Sequence, residues 1–84
     1  MKRSNGGHAM QELIERLADI LECDPAELTE HSIFRDHGHW DSLAVLSTLV
    51  MIDEHYQILV PHSDLGKMKT VGDLMRYIAE RQSD

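Results

Sequence analysis

One serine in this chain of 84 residues stands where it could carry a covalent group. Ser42 follows Asp41 and precedes Leu43, at the point where an irregular stretch gives way to a helical pattern. A serine at a helix start is exposed, and the positive end of the helix dipole favours an attached or approaching phosphate. The alternative is an ordinary helix cap, which the Asp-Ser-Leu pattern favours when it is taken by itself.

Histidines are the second group that could do chemistry, because six of them are many for a chain of this length. His37 and His39 are separated by one glycine, and His31, Asp36 and Asp41 are nearby. A zinc site needs about three or four converging ligands, and no second pair at a usual spacing is found. We therefore predict a solvated polar loop and no metal site.

Cys23 is the only cysteine, which excludes an internal disulfide framework and favours a reducing compartment. It closes the first helical segment beside Asp24, whereas a reactive thiolate needs a helix N-terminus or a cationic neighbour. We expect a small, partly buried residue. The sequence shows no Ser-His-Asp order, no paired acid–base carboxylates and no glycine-rich phosphate loop, so it gives no reason to predict an enzyme.

The composition limits the kinds of partner. Eight Lys and Arg residues against 15 Asp and Glu residues give a formal net charge of −7. This balance argues against nucleic acid and favours basic patches on partner proteins. No apolar run approaches the roughly 18 residues of a membrane span, and the basic start lacks the apolar stretch of a secretory signal. We expect a cytoplasmic domain over residues 9–82, with residues 1–8 as a flexible leader or a remnant of cloning.

The elements that must position these residues are helices. Apolar residues at helical spacing predict main helices over residues 9–22, 42–56 and 71–81, with a short one around 62–66. Asp24 and Pro25 end the first helix and can start a short turn. Thr70 and Asp73 form a capping box for the last helix. With no alternating strand pattern, the predicted fold class is all-α: a small four-helix bundle with a long loop over residues 24–41.

The loop and the second helix carry apolar side chains that need partners. The loop is expected to be held by Leu28, Ile33, Phe34 and Trp40. On a helical wheel the core-facing stripe of the second helix consists of Val45, Leu46, Leu49, Ile52 and Tyr56. Leu43 and Val50 lie at its edge, and Ala44 and Met51 lie behind it. The apolar arc is therefore wider than burial in a small bundle requires.

Taken together, these features resemble the acyl carrier protein and phosphopantetheine-binding family over about residues 9–81. The resemblance is carried by Asp41-Ser42-Leu43 opening the second helix, by the apolar stretch that ends at Pro61, and by Thr70-Val71 opening the last helix. It implies that Ser42 carries 4′-phosphopantetheine, attached from coenzyme A by a phosphopantetheinyl transferase, with Asp41 and Leu43 beside it. The arm would hold an acyl or aminoacyl group as a thioester, and the protein itself would catalyse nothing.

The resemblance also implies that enzymes which load or transfer the acyl or aminoacyl group dock on the second helix. The residues expected to meet them are Leu43, Val50, Met51, Asp53 and Glu54. In this interpretation the first three make apolar contacts and the two acidic residues face basic patches. We expect the carrier to act as a monomer.

Departures from the pattern of fatty-acid carriers favour a specialised pathway, such as one making a polyketide, a peptide, or a modified sugar or surface polymer. Those carriers usually read Gly-x-Asp-Ser-Leu, whereas residues 38–42 hold one residue more. Ala44 and Ser47 occupy places that are often acidic there. Two alternatives stay open: an unmodified acidic helical interaction module, in which Ser42 is only a cap, and a histidine-dependent metal-binding domain.

Overall fold

The computed structural model describes residues 6–82 of the chain. Its four α-helices are α1 (Gly6–Leu21), α2 (Ser42–Tyr56), α3 (His62–Leu65) and α4 (Val71–Gln82). Two short 3₁₀ turns, Pro25–Glu27 and Phe34–Asp36, interrupt the loop between α1 and α2. The predicted all-α bundle of three main helices and one short helix is confirmed. Helix α1 begins three residues before the predicted start at Ala9, and residues 1–5 of the predicted leader lie outside the described residues.

Helix α1 packs against α2, α4 and the first 3₁₀ turn. Its buried residues recur at helical spacing: Leu13, Ile14, Leu17, Ala18 and Leu21. Ile20 is also apolar but is only half-buried, whereas the smaller Ala18 is buried. Asp24 caps the following 3₁₀ turn, as predicted, because its carboxylate accepts the amide hydrogen of Ala26 at 2.9 Å.

Helices α1 and α2 both end on a left-handed residue that is not glycine. Glu22 has a φ of 57° and Gln57 a φ of 59°. After α1, the amide of Cys23 donates to the carbonyl of Ala18 at 3.0 Å and that of Glu22 to Asp19 at 3.3 Å. These two hydrogen bonds together form the Schellman motif. They fix the position of Cys23 at the end of α1.

The long loop is held to the bundle by side chains at some positions and by its backbone at others. Leu28 and Phe34 are buried, and the Trp40 ring meets Phe34 edge-on with ring centroids 4.9 Å apart. The prediction that Ile33 is also an anchor is wrong, because this residue is 47% exposed. The backbone of Ile33 pairs instead with that of Thr70 in an isolated antiparallel bridge.

Further backbone bonds join this part of the loop to the start of α4. The amide of Val71 donates to the carbonyl of Ser32 at 3.0 Å, and that of Gly72 donates to Glu30 at 2.8 Å. A Cβ atom at Gly72 would lie 3.0 Å from the same Glu30 oxygen, so the contact favours glycine. The loop is therefore anchored to α4 well before it reaches α2.

The predicted capping box of α4 is present in both directions. The amide of Asp73 donates to the Thr70 hydroxyl at 3.0 Å, and the amide of Thr70 donates to the Asp73 carboxylate at 3.2 Å. The same carboxylate accepts the amide of Lys69 at 3.1 Å. These bonds hold the pKa of Asp73 below its ordinary value.

Helix α2 is rotated relative to the wheel prediction. Its buried residues are Ala44, Thr48, Met51 and Ile52. Leu46, predicted in the core stripe, is 58% exposed, and Met51, predicted behind that stripe, is 6% exposed. Apolar residues surround most of this helix, so the wheel defines no single face. The buried Thr48 hydroxyl has a hydrogen-bond partner within the helix, because it donates to the Ala44 carbonyl at 2.8 Å.

Candidate functional site

Ser42 is the first residue of α2, and it is exposed. The preceding Asp41 has extended backbone and is the helix cap: its carboxylate accepts the amide hydrogen of Ala44 at 2.9 Å. The Asp41 carbonyl accepts the amide of Val45 at 2.9 Å. Asp41 therefore has the capping role that the sequence alone also allows for Ser42, and Ser42 presents its side chain to solvent.

The chain that leads into the site is anchored immediately before Asp41. The Trp40 amide donates to the His37 carbonyl at 2.9 Å, and the Trp40 ring rests on buried Phe34. A tight turn and an aromatic contact thus set the entry into α2. Ser42 is held by its backbone while its hydroxyl stays accessible.

The electrostatic setting of Ser42 suits a phosphate. The first turn of α2 itself contains no acidic side chain, although the capping carboxylate of Asp41 lies directly before it and accepts the Ala44 amide. The other amides that lack a helical partner carry the positive partial charge of a helix N-terminus. A phosphodiester at Ser42 would lie beside these amides. Leu43, which was also predicted at this site, is solvent-facing too and is 69% exposed.

An apolar pocket of about 280 Å³ opens between α2, α3 and the loop. Its lining residues are Arg35, Trp40, Val45, His62, Leu65 and Gly66. Trp40 and Val45 stand on either side of Ser42 in the sequence. Helix α3, which forms the far wall, is tied down by a bond from Arg35 to the Gly66 carbonyl and by the Tyr77 hydroxyl, which donates to Asp64 at 2.8 Å.

The predicted docking residues divide into exposed and buried ones. Leu43, Val50, Asp53 and Glu54 are exposed, as partner contact requires. Met51 is buried, so its prediction as a partner-facing residue is wrong; it lies in the floor of a groove between α1 and α2. Leu46 takes its place on the surface. Leu43, Leu46 and Val50 form one exposed line, here called the α2 ridge.

The histidine cluster suggested by the sequence is only partly assembled. The His37 and His39 rings have centroids 5.7 Å apart, and the amide of His39 donates to Nδ1 of His37 at 3.2 Å. His31 lies apart on the surface beside Glu30, with 3.4 Å between Nε2 of His31 and a Glu30 carboxylate oxygen. His37 does gather two other side chains that can bind metal, however, and neither was associated with it in the sequence.

These side chains belong to Cys23 and Glu27. One potential ligand atom from each of Cys23, Glu27 and His37 lies within 4.8 Å of the other two. Cys23 is half-buried, as predicted, and burial, together with the Glu27 and Asp24 carboxylates, raises the pKa of its thiol. Sequence reasoning missed this cluster because each member comes from a different turn, and no spacing rule links them.

Within residues 6–82, none of the helices combines the length and the apolar character that a bilayer crossing requires. The site combines the exposed Ser42 at the start of α2, a neighbouring apolar pocket and the exposed apolar α2 ridge.

Comparison with known proteins identifies the family. Residues 11–78 match the family described as Phosphopantetheine attachment site. An acyl carrier protein of Rhodococcus erythropolis is 32% identical, with 92% of this chain and 89% of the relative covered. The acyl carrier protein of Rickettsia typhi is 38% identical, with 87% of this chain and 85% of the relative covered. The meromycolate extension acyl carrier protein of Mycolicibacterium aurum is 32% identical, with 90% of this chain and 82% of the relative covered. The chain therefore belongs to the phosphopantetheine-binding acyl carrier family, whose members bear a covalent 4′-phosphopantetheine and are carriers rather than enzymes.

Proposed function

We propose that Ser42 is the residue to which the 4′-phosphopantetheine arm is attached, and that this chain carries an acyl or aminoacyl group on it. The observation that carries the proposal is the division of roles between Asp41 and Ser42. Asp41 caps α2, so the exposed hydroxyl of Ser42 is not required to hold the helix together. The alternative interpretation, in which Ser42 is only a helix cap, does not fit, because Asp41 is the cap of α2.

In the attachment reaction the Ser42 oxygen forms a bond to the phosphorus next to the pantetheine unit of coenzyme A. The bond from that phosphorus to the adenosine bisphosphate breaks, and the hydroxyl proton passes to a base of the transferase. The product places a phosphodiester charge at the N-terminus of α2. The helix dipole stabilises such a charge by about 0.3–1 kcal/mol at an exposed helix start, and the carboxylate of the neighbouring cap Asp41, which accepts the Ala44 amide, offsets part of this stabilisation.

The neighbouring pocket favours an aliphatic acyl group as cargo. Its apolar side chains are Trp40, Val45 and Leu65, and most of its exposed lining surface is apolar. An acyl chain that folds back from the arm beside Ser42 gains by leaving water, at about 0.8 kcal/mol for each buried CH₂ group. If the chain is loaded with an octanoyl group, the methyl resonances of Val45 should shift, whereas an acetyl group should leave them unchanged.

Partner enzymes are proposed to dock on the α2 ridge, which begins directly beside Ser42. Leu43, Leu46 and Val50 offer apolar contact, and the exposed Asp53 and Glu54 favour a basic rim on the partner. An enzyme seated there has the arm at the edge of its footprint. The transferase that attaches the arm must reach Ser42, and the enzymes that load or receive cargo must reach the end of the arm. Docking on the α2 ridge allows both.

The pathway is proposed to be a specialised one. The first turn of α2 lacks acidic residues and the ridge is exposed and apolar, so partners should depend more on apolar contact than on charge. One relative is named a meromycolate extension acyl carrier protein, while the others reported above are named simply acyl carrier protein. The predicted cytoplasmic location and monomeric state stay predictions.

Intact mass tests the attachment site. The purified chain is weighed before and after incubation with coenzyme A and a broad-specificity phosphopantetheinyl transferase. We expect the wild type to gain the mass of one arm and Ser42→Ala to gain nothing. Ser47→Ala, on the same helix, is the matched control and should be modified as the wild type is. Modification of Ser42→Ala, or none of the wild type, would overturn the proposal.

A further inference from the structure

We propose that Cys23, Glu27 and His37 form a zinc-binding site where α1 meets the long loop. Their potential ligand atoms all lie within 4.8 Å of one another. Zinc binds sulfur, nitrogen and oxygen at about 2.0–2.3 Å, which places tetrahedral ligands about 3.3–3.8 Å apart. Side-chain rotations that close the cluster by about 1 Å therefore bring it to the separation that zinc requires.

Each of the three residues is positioned by a separate hydrogen-bonded turn. Cys23 follows the Schellman motif that ends α1 and donates its amide to Ala18. Glu27 lies in the 3₁₀ turn capped by Asp24. The amide of His37 donates to the carbonyl of Phe34 at 3.2 Å, closing the second 3₁₀ turn. The backbone thus brings the ligands together before any metal is bound.

The donor set selects zinc over the hard divalent cations. Thiolate and imidazole are ligands of zinc and other transition metals, whereas calcium and magnesium prefer oxygen alone. A thiolate and a carboxylate also balance the two positive charges of the ion. Glu27 is exposed, so the site is open to solvent and a water molecule can fill the fourth position.

Coordination must change one bond of the metal-free chain. Nδ1 of His37 accepts the amide of His39, which in a neutral imidazole places the ring proton on Nε2. Binding through Nδ1 displaces the His39 amide, and binding through Nε2 moves the proton to Nδ1, which then no longer accepts. Either way the His39 amide loses its partner, so it reports metal binding three residues before Ser42.

Zinc titration by calorimetry tests the site in the full chain. Ser42→Ala is the background in all samples, because the arm's own thiol would bind zinc, and a phosphine reductant keeps Cys23 reduced. We expect one zinc ion per chain. Loss of a residue that only supports a zinc ligand weakens zinc affinity by about 10–100-fold. Cys23→Ser and His37→Gln each remove a ligand itself, so each should weaken zinc binding by at least this much. Glu27→Gln, at an exposed position that the fold does not need, should weaken it by about tenfold or more.

Two controls and two further measurements separate this site from other zinc binding. His31→Gln and Glu22→Gln change exposed residues outside the cluster and should leave affinity unchanged. Cobalt in place of zinc should give a thiolate charge-transfer band that Cys23→Ser removes, and the His39 amide resonance should shift on zinc addition. An absence of stoichiometric binding, or binding that survives Cys23→Ser and Glu27→Gln, would overturn the proposal and leave the carrier function untouched.

Discussion

The carboxylate of Asp41 accepts the amide hydrogen of Ala44 at 2.9 Å, so the residue before the exposed serine is the one that starts α2. A side chain engaged in capping must stay near the helix axis, whereas one that carries a cofactor must point outward. Because the cap and the exposed hydroxyl belong to neighbouring residues, the stability of α2 is separated from the attachment that we propose for Ser42.

Substitutions at these two positions should therefore differ in their effect on stability. Asp41→Ala removes the cap and should lower the free energy of unfolding by about 0.5–2 kcal/mol. Ser42→Ala removes an exposed hydroxyl and should change it by no more than about 0.5 kcal/mol. Urea denaturation of the unmodified proteins measures both values. An equal loss in the two variants would mean that Ser42 shares the capping role.

The α2 ridge and the core side of α2 should respond in opposite ways to the same substitution. Met51 is buried, so Met51→Asp places an unpaired charge in the core and should strongly lower Tm. Leu46→Asp and Val50→Asp alter exposed positions and should leave Tm nearly unchanged. Attachment of the arm should slow by about tenfold in these two variants, equivalent to about 1.4 kcal/mol of lost interface energy.

Charge reversal at Asp53 and Glu54 provides the matched comparison for this experiment. It should act on the association rate with basic partners and lose its effect at high salt, whereas the effect of Leu46→Asp should persist. If Leu46→Asp unfolds the domain, or leaves attachment and acyl loading at wild-type rates, the ridge is not a docking surface.

The starts of the first 3₁₀ turn, α2 and α4 were predictable because their signals are local, whereas α1 begins three residues before its predicted start. Asp41 before α2, the Thr70–Asp73 pair before α4 and Pro25 after its capping aspartate each act over about three residues, so a short stretch of sequence contains the whole interaction. What the structure confirms about Ser42 is its exposed place at the start of α2, which is set by one of these boundaries; its role as the attachment site stays a prediction.

The features that sequence reasoning missed depend on tertiary contacts. Leu46 and Met51 exchange places relative to the wheel because α2 is apolar on most sides, and only packing against its neighbours selects the buried face. Ile33 is exposed because the loop is held there by its backbone. Cys23 meets His37 only after two turns have folded the loop back on α1, a contact that no periodicity encodes.

Protonation of Asp73 should weaken the capping box of α4. The amides of Lys69 and Thr70 donate to its carboxylate and lower its pKa. A lowered folded-state pKa means that the stabilisation is fully present above the ordinary aspartate value of about 3.9 and is lost as pH falls through the folded value. The difference in Tm between wild type and Asp73→Asn should therefore be largest near neutrality and shrink in acid.

Thr70→Ala, which removes the reciprocal hydrogen bond from the Asp73 amide, should lower the free energy of unfolding by about 0.5–2 kcal/mol at neutral pH. A Tm difference that grows as pH falls would contradict this assignment.

Glycine should stabilise the chain where α2 ends. Gln57 has a φ of 59°, a conformation that costs a side chain with Cβ about 1–2 kcal/mol and costs glycine little. Part of that gain is offset by the greater freedom of glycine in the unfolded chain, so Gln57→Gly should raise the free energy of unfolding by about 0.5–1 kcal/mol. Gln11→Gly, within α1, is the matched control and should lower it by about as much. Equal destabilisation by both variants would show that Gln57 is not left-handed in solution.

The last prediction concerns the reactivity of Cys23 in the metal-free chain. Burial of the thiol, then the carboxylates of Glu27 and Asp24, raises its pKa. The thiolate is the species that reacts with iodoacetamide, so alkylation at pH 8 should be slower than for an unstructured cysteine peptide. Glu27→Gln removes the larger of the two charge effects and should shift the pH–rate profile of alkylation to lower pH, with a faster rate at pH 8. Asp53→Asn makes the same charge change on α2 and should leave the rate unchanged, which separates the local carboxylate from net charge. All rates are measured with a chelator present and on the Ser42→Ala background, so that neither bound metal nor the arm's thiol contributes. A Glu27→Gln profile that coincides with the wild type would show that Glu27 does not lie near the Cys23 sulfur in solution, which would also remove a ligand from the proposed zinc site.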